Sequence, residues 1–310
     1  MNQTLAFVFP GQGSQQIGML SELGEEHPIV KETFESASKA LGYDLWALIQ
    51  NGPIEELNST DKTQPALLTA GVALWRLWNH LGGAKPTVLA GHSLGEYTAL
   101  VCAGVITLED GVRLVKARGE FMQEAVPAGQ GAMAAILGLD DEKIEQACAQ
   151  ASQGDVVSAV NYNSPGQVVI AGQAAAVERA IETCKEMGAK RAMPLPVSVP
   201  SHCALMKPAA EKLAQMLDTL TLSSPEIPVI QNVTATVPAD LDQLKQNLLS
   251  QLYNPVLWTA SVNQMVEQGV ENIIECGPGK VLSGLNKRIQ RSLTVGAIND
   301  TAGMEKALSD

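Results

Sequence analysis

A mixed α/β fold in two parts is what this 310-residue sequence predicts, on three observations. Short apolar, β-branched runs alternate with longer segments of helical spacing, the pattern of parallel strands buried between helices. A serine flanked by glycines, Gly91-His92-Ser93-Leu94-Gly95, stands where one such run meets a helical segment. The stretch 128–197 reads β-α-β-β-α-β by itself. With 45% apolar residues and a formal charge of -12, the chain can bury a large core, and its average surface repels nucleic acid and anionic membranes.

The elements follow in order. Leu5 to Phe9 is a continuous apolar run ended by Pro10, as expected of a buried parallel strand. The loop Gly11-Gln12-Gly13-Ser14-Gln15 lacks the third glycine of a dinucleotide fingerprint, Gln16 standing there, and lacks the Lys-Ser/Thr of a P-loop. Nucleotide binding is therefore rejected. The remaining reading sets this loop beside the serine, with the Gln12 backbone N–H available to an oxyanion. Pro28 to Leu41 and Thr63 to Leu81 have helical spacing. Trp75 and Trp78 read as packing residues, and His27 and His80, at helix boundaries, carry no partner signal.

Pro86 to Leu89 predicts a strand, and the segment from Leu94 onward a helix. Gly91 and Gly95 flank Ser93 at the spacing of a nucleophile elbow, a sharp turn that holds a serine hydroxyl above a sheet. The alternative is a serine that caps the helix. The strand-turn-helix context favours Ser93 as a nucleophile, with His92 a structural or lining residue. Thr107-Leu-Glu-Asp110 resembles a capping box opening a helix to about Val126. On that helix Arg118 falls in the apolar arc of Val112, Leu114, Val115, Phe121 and Met122. An arginine so placed must snorkel out, pair with a buried carboxylate or hold an anionic ligand. A guanidinium close in sequence to the elbow suits a carboxylate ligand.

From about Ala128 the pattern becomes strand 132–137, helix 140–151, strands 156–160 and 167–171 joined across Asn161–Gly166, helix 174–187 and strand 190–195. That order is ferredoxin-like, inserted between Pro127 and the proline-rich exit at Pro194, Pro196 and Pro200. His202 follows in an extended-to-helix turn and is the one histidine after Ser93. A lone histidine is often structural, yet a serine nucleophile needs a base and His202 is the best candidate. Gln251-Leu-Tyr-Asn-Pro255 breaks a helical stretch, Asn272 to Glu275 is a buried strand, and Gly277-Pro-Gly-Lys280 reads as a tight turn rather than a phosphate site. Cys102, Cys148, Cys184, Cys203 and Cys276 are scattered without zinc spacing, so free thiols and no metal are expected. Met1-Asn2-Gln3-Thr4 has no basic n-region and no run reaches membrane length, so a cytoplasmic protein is expected; a monomer is expected as well.

Taken in order, Gly11-Gln12-Gly13-Ser14-Gln15, Gly91-His92-Ser93-Leu94-Gly95, Arg118, Pro200-Ser201-His202, Gln251-Leu-Tyr-Asn-Pro255 and Gly277-Pro-Gly279 closely resemble the bacterial malonyl-CoA:acyl carrier protein transacylase family over nearly the whole length. The resemblance implies an α/β-hydrolase-like catalytic domain, 1–127 and 198–310, with a ferredoxin-like small domain, 128–197. It implies Ser93 as nucleophile, His202 as base and a Gln251 backbone carbonyl orienting that base. Leu94 and Gln12 would be the oxyanion donors, and Arg118 would grip the malonyl carboxylate. Malonyl-CoA and phosphopantetheinylated acyl carrier protein would be the substrates, with no bound cofactor.

A serine thioesterase or esterase on the same elbow is the nearest rival, although such enzymes place their acid and histidine late in the chain. A non-catalytic scaffold that keeps the fold is the other. The resemblance further implies a place in fatty acid biosynthesis, whose carrier proteins are acidic; since this chain is acidic too, a docking surface must be local. Lys190, Arg191, Lys280, Lys287, Arg288 and Arg291 are the expected patch; a scattered, solvated set of charges is the alternative.

Overall fold

Leu5 to Phe9 is apolar at every position because it is buried on both faces. Leu5, Phe7 and Phe9 join one core cluster, while Ala6 and Val8 join another. In the computed structural model, which describes residues 4–197 and 199–309, this segment is the central strand β1 (Thr4–Phe9). Met1–Gln3 and Ser198, the position where the second part of the large domain is expected to begin, lie outside the described residues. The other strands in chain order are β2 (Val88–Gly91), β3 (Gly131–Leu137), β4 (Val157–Ser164), β5 (Gln167–Gln173), β6 (Arg191–Pro194), β7 (Val229–Ile230), β8 (Val270–Glu275) and β9 (Thr294–Ala297).

The larger sheet has the order β7-β2-β1-β8-β9, and all its pairings are parallel. Helices cover both sides. On one, the helix Thr60–His80 sets Trp75 and Trp78 against Phe7, with ring centroids 5.5 and 5.2 Å apart. On the other, Trp258, Val262, Met265, Leu282 and Leu285 from the helices Trp258–Glu267 and Val281–Ile289 meet Ala6, Val8 and Ile273. Thr60–His80 starts before the expected Thr63, because the Ser59 carbonyl accepts from the N–H groups of both Lys62 and Thr63 and closes a turn ahead of the apolar periodicity. Thr107 caps Leu108–Ala125 as expected, its hydroxyl accepting from the Asp110 N–H at 3.1 Å.

The second sheet is antiparallel, in the order β4-β5-β3-β6, with the helices Asp141–Ser152 and Ala174–Glu186 on one face around their own core of Ile136, Ile144, Ile170, Val177 and Ile181. Its opposite face, through Met133, Val160, Val169 and Ala171, meets Cys203. The connection expected at Asn161–Gly166 is shorter in the structure. β4 continues to Ser164 through two register irregularities, leaving a turn at Pro165-Gly166. The continuation is held from outside the sheet, since the Val256 N–H donates to the Val160 carbonyl and the Tyr162 N–H donates to the Val256 carbonyl. β7, β9 and the helix Thr301–Ser309 carry no signal strong enough to be read from sequence, being short or partly exposed. No described helix is long and apolar enough to cross a membrane.

Candidate active site

Parallel strands deliver their carboxyl ends to one edge of the sheet, and β2 ends there at Gly91. The chain then turns so sharply into the helix Leu94–Cys102 that Ser93 takes φ 54° and ψ -108°, a conformation unfavourable for a residue with a Cβ. The flanking glycines have a steric cause. A Cβ on Gly91 would overlap the Gly95 backbone, and one on Gly95 would overlap the Phe9 carbonyl. The Ser93 hydroxyl makes no cap bond to its helix. Its Oγ lies 2.8 Å from His202 Nε2.

His202, 3% exposed, sits at φ 65° with its backbone N–H donating to the Leu252 carbonyl. Its Nδ1 is 2.7 Å from the Gln251 carbonyl oxygen, which can only accept. Nδ1 therefore carries the proton and Nε2 presents a lone pair to the serine. Burial, aided by the positive charge of Arg118, lowers the His202 pKa from 6.5 to about 3, against the raising effect of the carbonyl. The imidazole is neutral at physiological pH, the state a general base requires.

Arg118 is 1% exposed. Its Nη1 donates to Gln64 Oε1 at 2.8 Å, and its Nη2 donates to Gln251 Oε1 at 3.0 Å and to Ser93 Oγ at 3.3 Å. The guanidinium carbon stands 5.2 Å from the centre of the Tyr97 ring. No ion pair forms on it among the described residues, and its Nε has no hydrogen-bond partner. Of the three outcomes open from sequence, snorkelling and a direct ion pair are thereby removed. A buried cation held by neutral amides beside a serine hydroxyl is built to receive an anion.

The loop after β1 lies against the elbow, where a Cβ on Gly11 would overlap the His92 carbonyl, and the His92 N–H donates to the carbonyl of Phe9 at the end of β1 at 3.0 Å. Neither Gln12 N–H nor Leu94 N–H has a hydrogen-bond acceptor among the described residues. The Gly277-Pro278-Gly279 turn supports this loop by packing on Pro10. His92 bonds through Nε2 to Asn163 Oδ1 at 2.7 Å and lies near Trp258, tying the elbow to β4. No cluster of His, Cys, Asp and Glu suited to a metal exists among the described residues, and the five cysteines are free thiols.

Four parts of this site escaped the sequence reading: Gln64, Glu96, Asn232 and the side chain of Gln251. Gln64 stands directly before the buried apolar run 65–68, and Glu96 is the one charge in Leu94–Cys102, so a polar-beside-apolar signal like the one that marked Arg118 was present for both. Asn232 follows a two-residue strand and had no such signal. Of the expected basic patch, Lys190, Arg191 and Arg288 gather at one end of the antiparallel sheet. Arg191 pairs in register with Leu137, Leu137 with Gln167, and Gln167 Oε1 accepts from Arg288 at 2.8 Å. Lys287 donates to the Leu293 carbonyl, Lys280 stands 3.8 Å from Asp300 at the far end of its helix, and Arg291 is exposed.

The chain matches the family model described as acyl transferase domain over residues 6–306. It is 63% identical over 303 residues to the malonyl CoA-acyl carrier protein transacylase of Escherichia coli (strain K12), covering 98% of each chain. A crystal structure of an acyl carrier protein S-malonyltransferase from Vibrio cholerae superposes with a TM-score of 0.96 at 62% identity, covering 98% of this chain and 99% of that one. A malonyl-transacylase solved in complex with its type II PKS acyl-carrier protein gives 0.98 at 57% identity, covering 99% of each.

Proposed function

The chain belongs to the acyl transferase domain family, and on that premise we propose that it moves a malonyl group from malonyl-CoA to the phosphopantetheine thiol of acyl carrier protein, through a malonyl ester on Ser93. In the first half, Ser93 Oγ attacks the thioester carbonyl while His202 Nε2 takes its proton. The C–S bond breaks, and CoA leaves as the thiol with that proton. In the second half, the carrier thiol gives its proton to His202 and attacks the ester, and the proton returns to Ser93 Oγ as the C–O bond breaks. The Gln251 carbonyl holds His202 in the tautomer both halves need, in place of an acid. The N–H groups of Gln12 and Leu94 serve the tetrahedral oxyanion. Arg118 binds the distal carboxylate, one methylene away from the carbon under attack.

The observation that carries this reading is the convergence of three groups distant in sequence: Ser93 Oγ is within hydrogen-bond distance of both His202 and Arg118. A general esterase has no use for a buried, unpaired guanidinium at its nucleophile, so the hydrolase alternative is not favoured. The β7-β2-β1-β8-β9 sheet supports an α/β-hydrolase-like catalytic domain of 1–127 and 198–310. The β4-β5-β3-β6 order and its separate core support a ferredoxin-like domain of 128–197. Lys190, Arg191 and Arg288, with Lys280, Lys287 and Arg291, are our reading of the surface that meets the acidic carrier.

Intact mass after mixing with malonyl-CoA, with the modified peptide mapped, tests the proposal. One malonyl group on Ser93, absent in Ser93→Ala and discharged by holo-carrier protein faster than by water, is expected. An adduct that persists in Ser93→Ala overturns the nucleophile, and discharge by water at an equal rate overturns transfer.

A further inference from the structure

Glu96 is fully buried and the chemistry above does not use it. Its Oε2 accepts from the Asn232 backbone N–H at 2.8 Å and from Gln251 Nε2 at 3.1 Å, and its Oε1 accepts from Gln231 Nε2 at 3.1 Å. Two of these donors also hold Ser93. Asn232 Oδ1 accepts from the Ser93 N–H at 2.8 Å, and Asn232 Nδ2 donates to the Gly91 carbonyl. Gln251 Nε2 donates to the Ser93 carbonyl at 3.0 Å. Both backbone polar groups of the strained serine are thus clamped by residues anchored on one carboxylate. The same Gln251 amide receives Arg118 Nη2 on its oxygen, and its backbone carbonyl holds His202.

We propose that Glu96 is a positioning residue whose ionised carboxylate, through Asn232 and Gln251, fixes the Ser93 backbone and the Arg118 guanidinium for acylation. The inference rests on the acyl-transfer reading above. All three groups facing the carboxyl are donors, so the acceptor-only ionised form fits them, and a protonated form would aim its O–H at a donor. Burial raises the Glu96 pKa to about 7, with the Asn232 N–H, the Gln251 and Gln231 amides and the Arg118 charge working against it. The clamp therefore loosens as pH falls below about 7. The other ionisable groups around it stay fixed near that pH. Burial pushes Tyr97, its neighbour on the helix, up to about 12, and burial takes His202, bonded to Ser93 Oγ, down to about 3. Arg118 keeps its charge as a guanidinium does in proteins, although burial lowers its pKa, with Tyr97 and Glu96 working against that. The segments carrying Gln231, Asn232 and Gln251 present only amides to it.

The test is the single-turnover rate of Ser93 malonylation from malonyl-CoA between pH 5.5 and 8.5. Glu96→Gln keeps the shape and one acceptor oxygen but not the charge. We expect it to acylate roughly 10²-fold more slowly at pH 8, the scale of a small misplacement of reacting groups, and to lose the acid limb that the unsubstituted protein shows near pH 7. Acylation at the unsubstituted rate with the same limb overturns the inference. Should Glu96→Gln fail to fold, Gln231→Met decides: it removes one donor to Glu96 without touching Ser93, so the limb must move to higher pH, and an unmoved limb overturns the inference. Failure of the unsubstituted protein to take malonyl on Ser93 strikes instead at the acyl-transfer reading itself.

Discussion

Replacing Arg118 by alanine separates malonyl recognition from acyl transfer as such. In the structure Arg118 offers Nη1 and Nη2 from a buried position, with amides rather than carboxylates as partners, so its charge is available to an incoming anion. Hydrogen bonds to charged groups contribute about 1.5–3 kcal/mol each, and truncating one partner of a buried charged pair costs about 2–5 kcal/mol. A bidentate grip on the malonyl carboxylate should then be worth about 3–4 kcal/mol. At about 1.4 kcal/mol per factor of ten, kcat/KM for malonyl-CoA falls roughly 10²- to 10³-fold. Acetyl-CoA has no carboxylate to lose. Secondary effects of the substitution, such as the acceptors left idle on Gln64 and Gln251, weigh on both substrates and cancel in their ratio. The assay is kcat/KM with each acyl-CoA at fixed carrier concentration, in protein whose thermal unfolding matches the parent. Equal losses for malonyl and acetyl would refute the assignment of Arg118 to the carboxylate.

His202→Gln should abolish malonylation and alter acid stability in a defined direction. The native histidine stays neutral down to about pH 3 while the unfolded one takes a proton below 6.5, so stability contributed by the neutral native form is lost as pH falls through that window. The Tm of the variant relative to the parent should therefore rise between pH 7 and pH 5; a flat difference removes the assignment of a buried neutral histidine. Lys287→Glu with Arg288→Glu should raise KM for carrier protein and leave KM for malonyl-CoA in place. Unchanged carrier kinetics would remove those residues from the docking surface.

Alternation in the chain was enough to read the mixed α/β pattern, because a strand covered on both faces must be apolar throughout, as Leu5 to Phe9 is, and because an elbow needs its glycines at fixed offsets from Ser93. The same local logic marked Arg118, whose charge has no place on an apolar helix face unless a ligand or partner waits there. Asn161–Ser164 misled because what makes it strand lies outside it, in Val256 and β5. Gln64, Glu96 and the Gln251 side chain come from three separate helices and Asn232 from a turn, and their chemistry is mutual: each polar group has meaning only through the donor or acceptor opposite it. Periodicity and turn chemistry act over a few residues and are written in the sequence itself. Hydrogen-bond partners more than a hundred residues apart, such as Ser93 with His202 or Glu96 with Asn232, are assigned only when the sheet closes and burial leaves each polar group no alternative to the other.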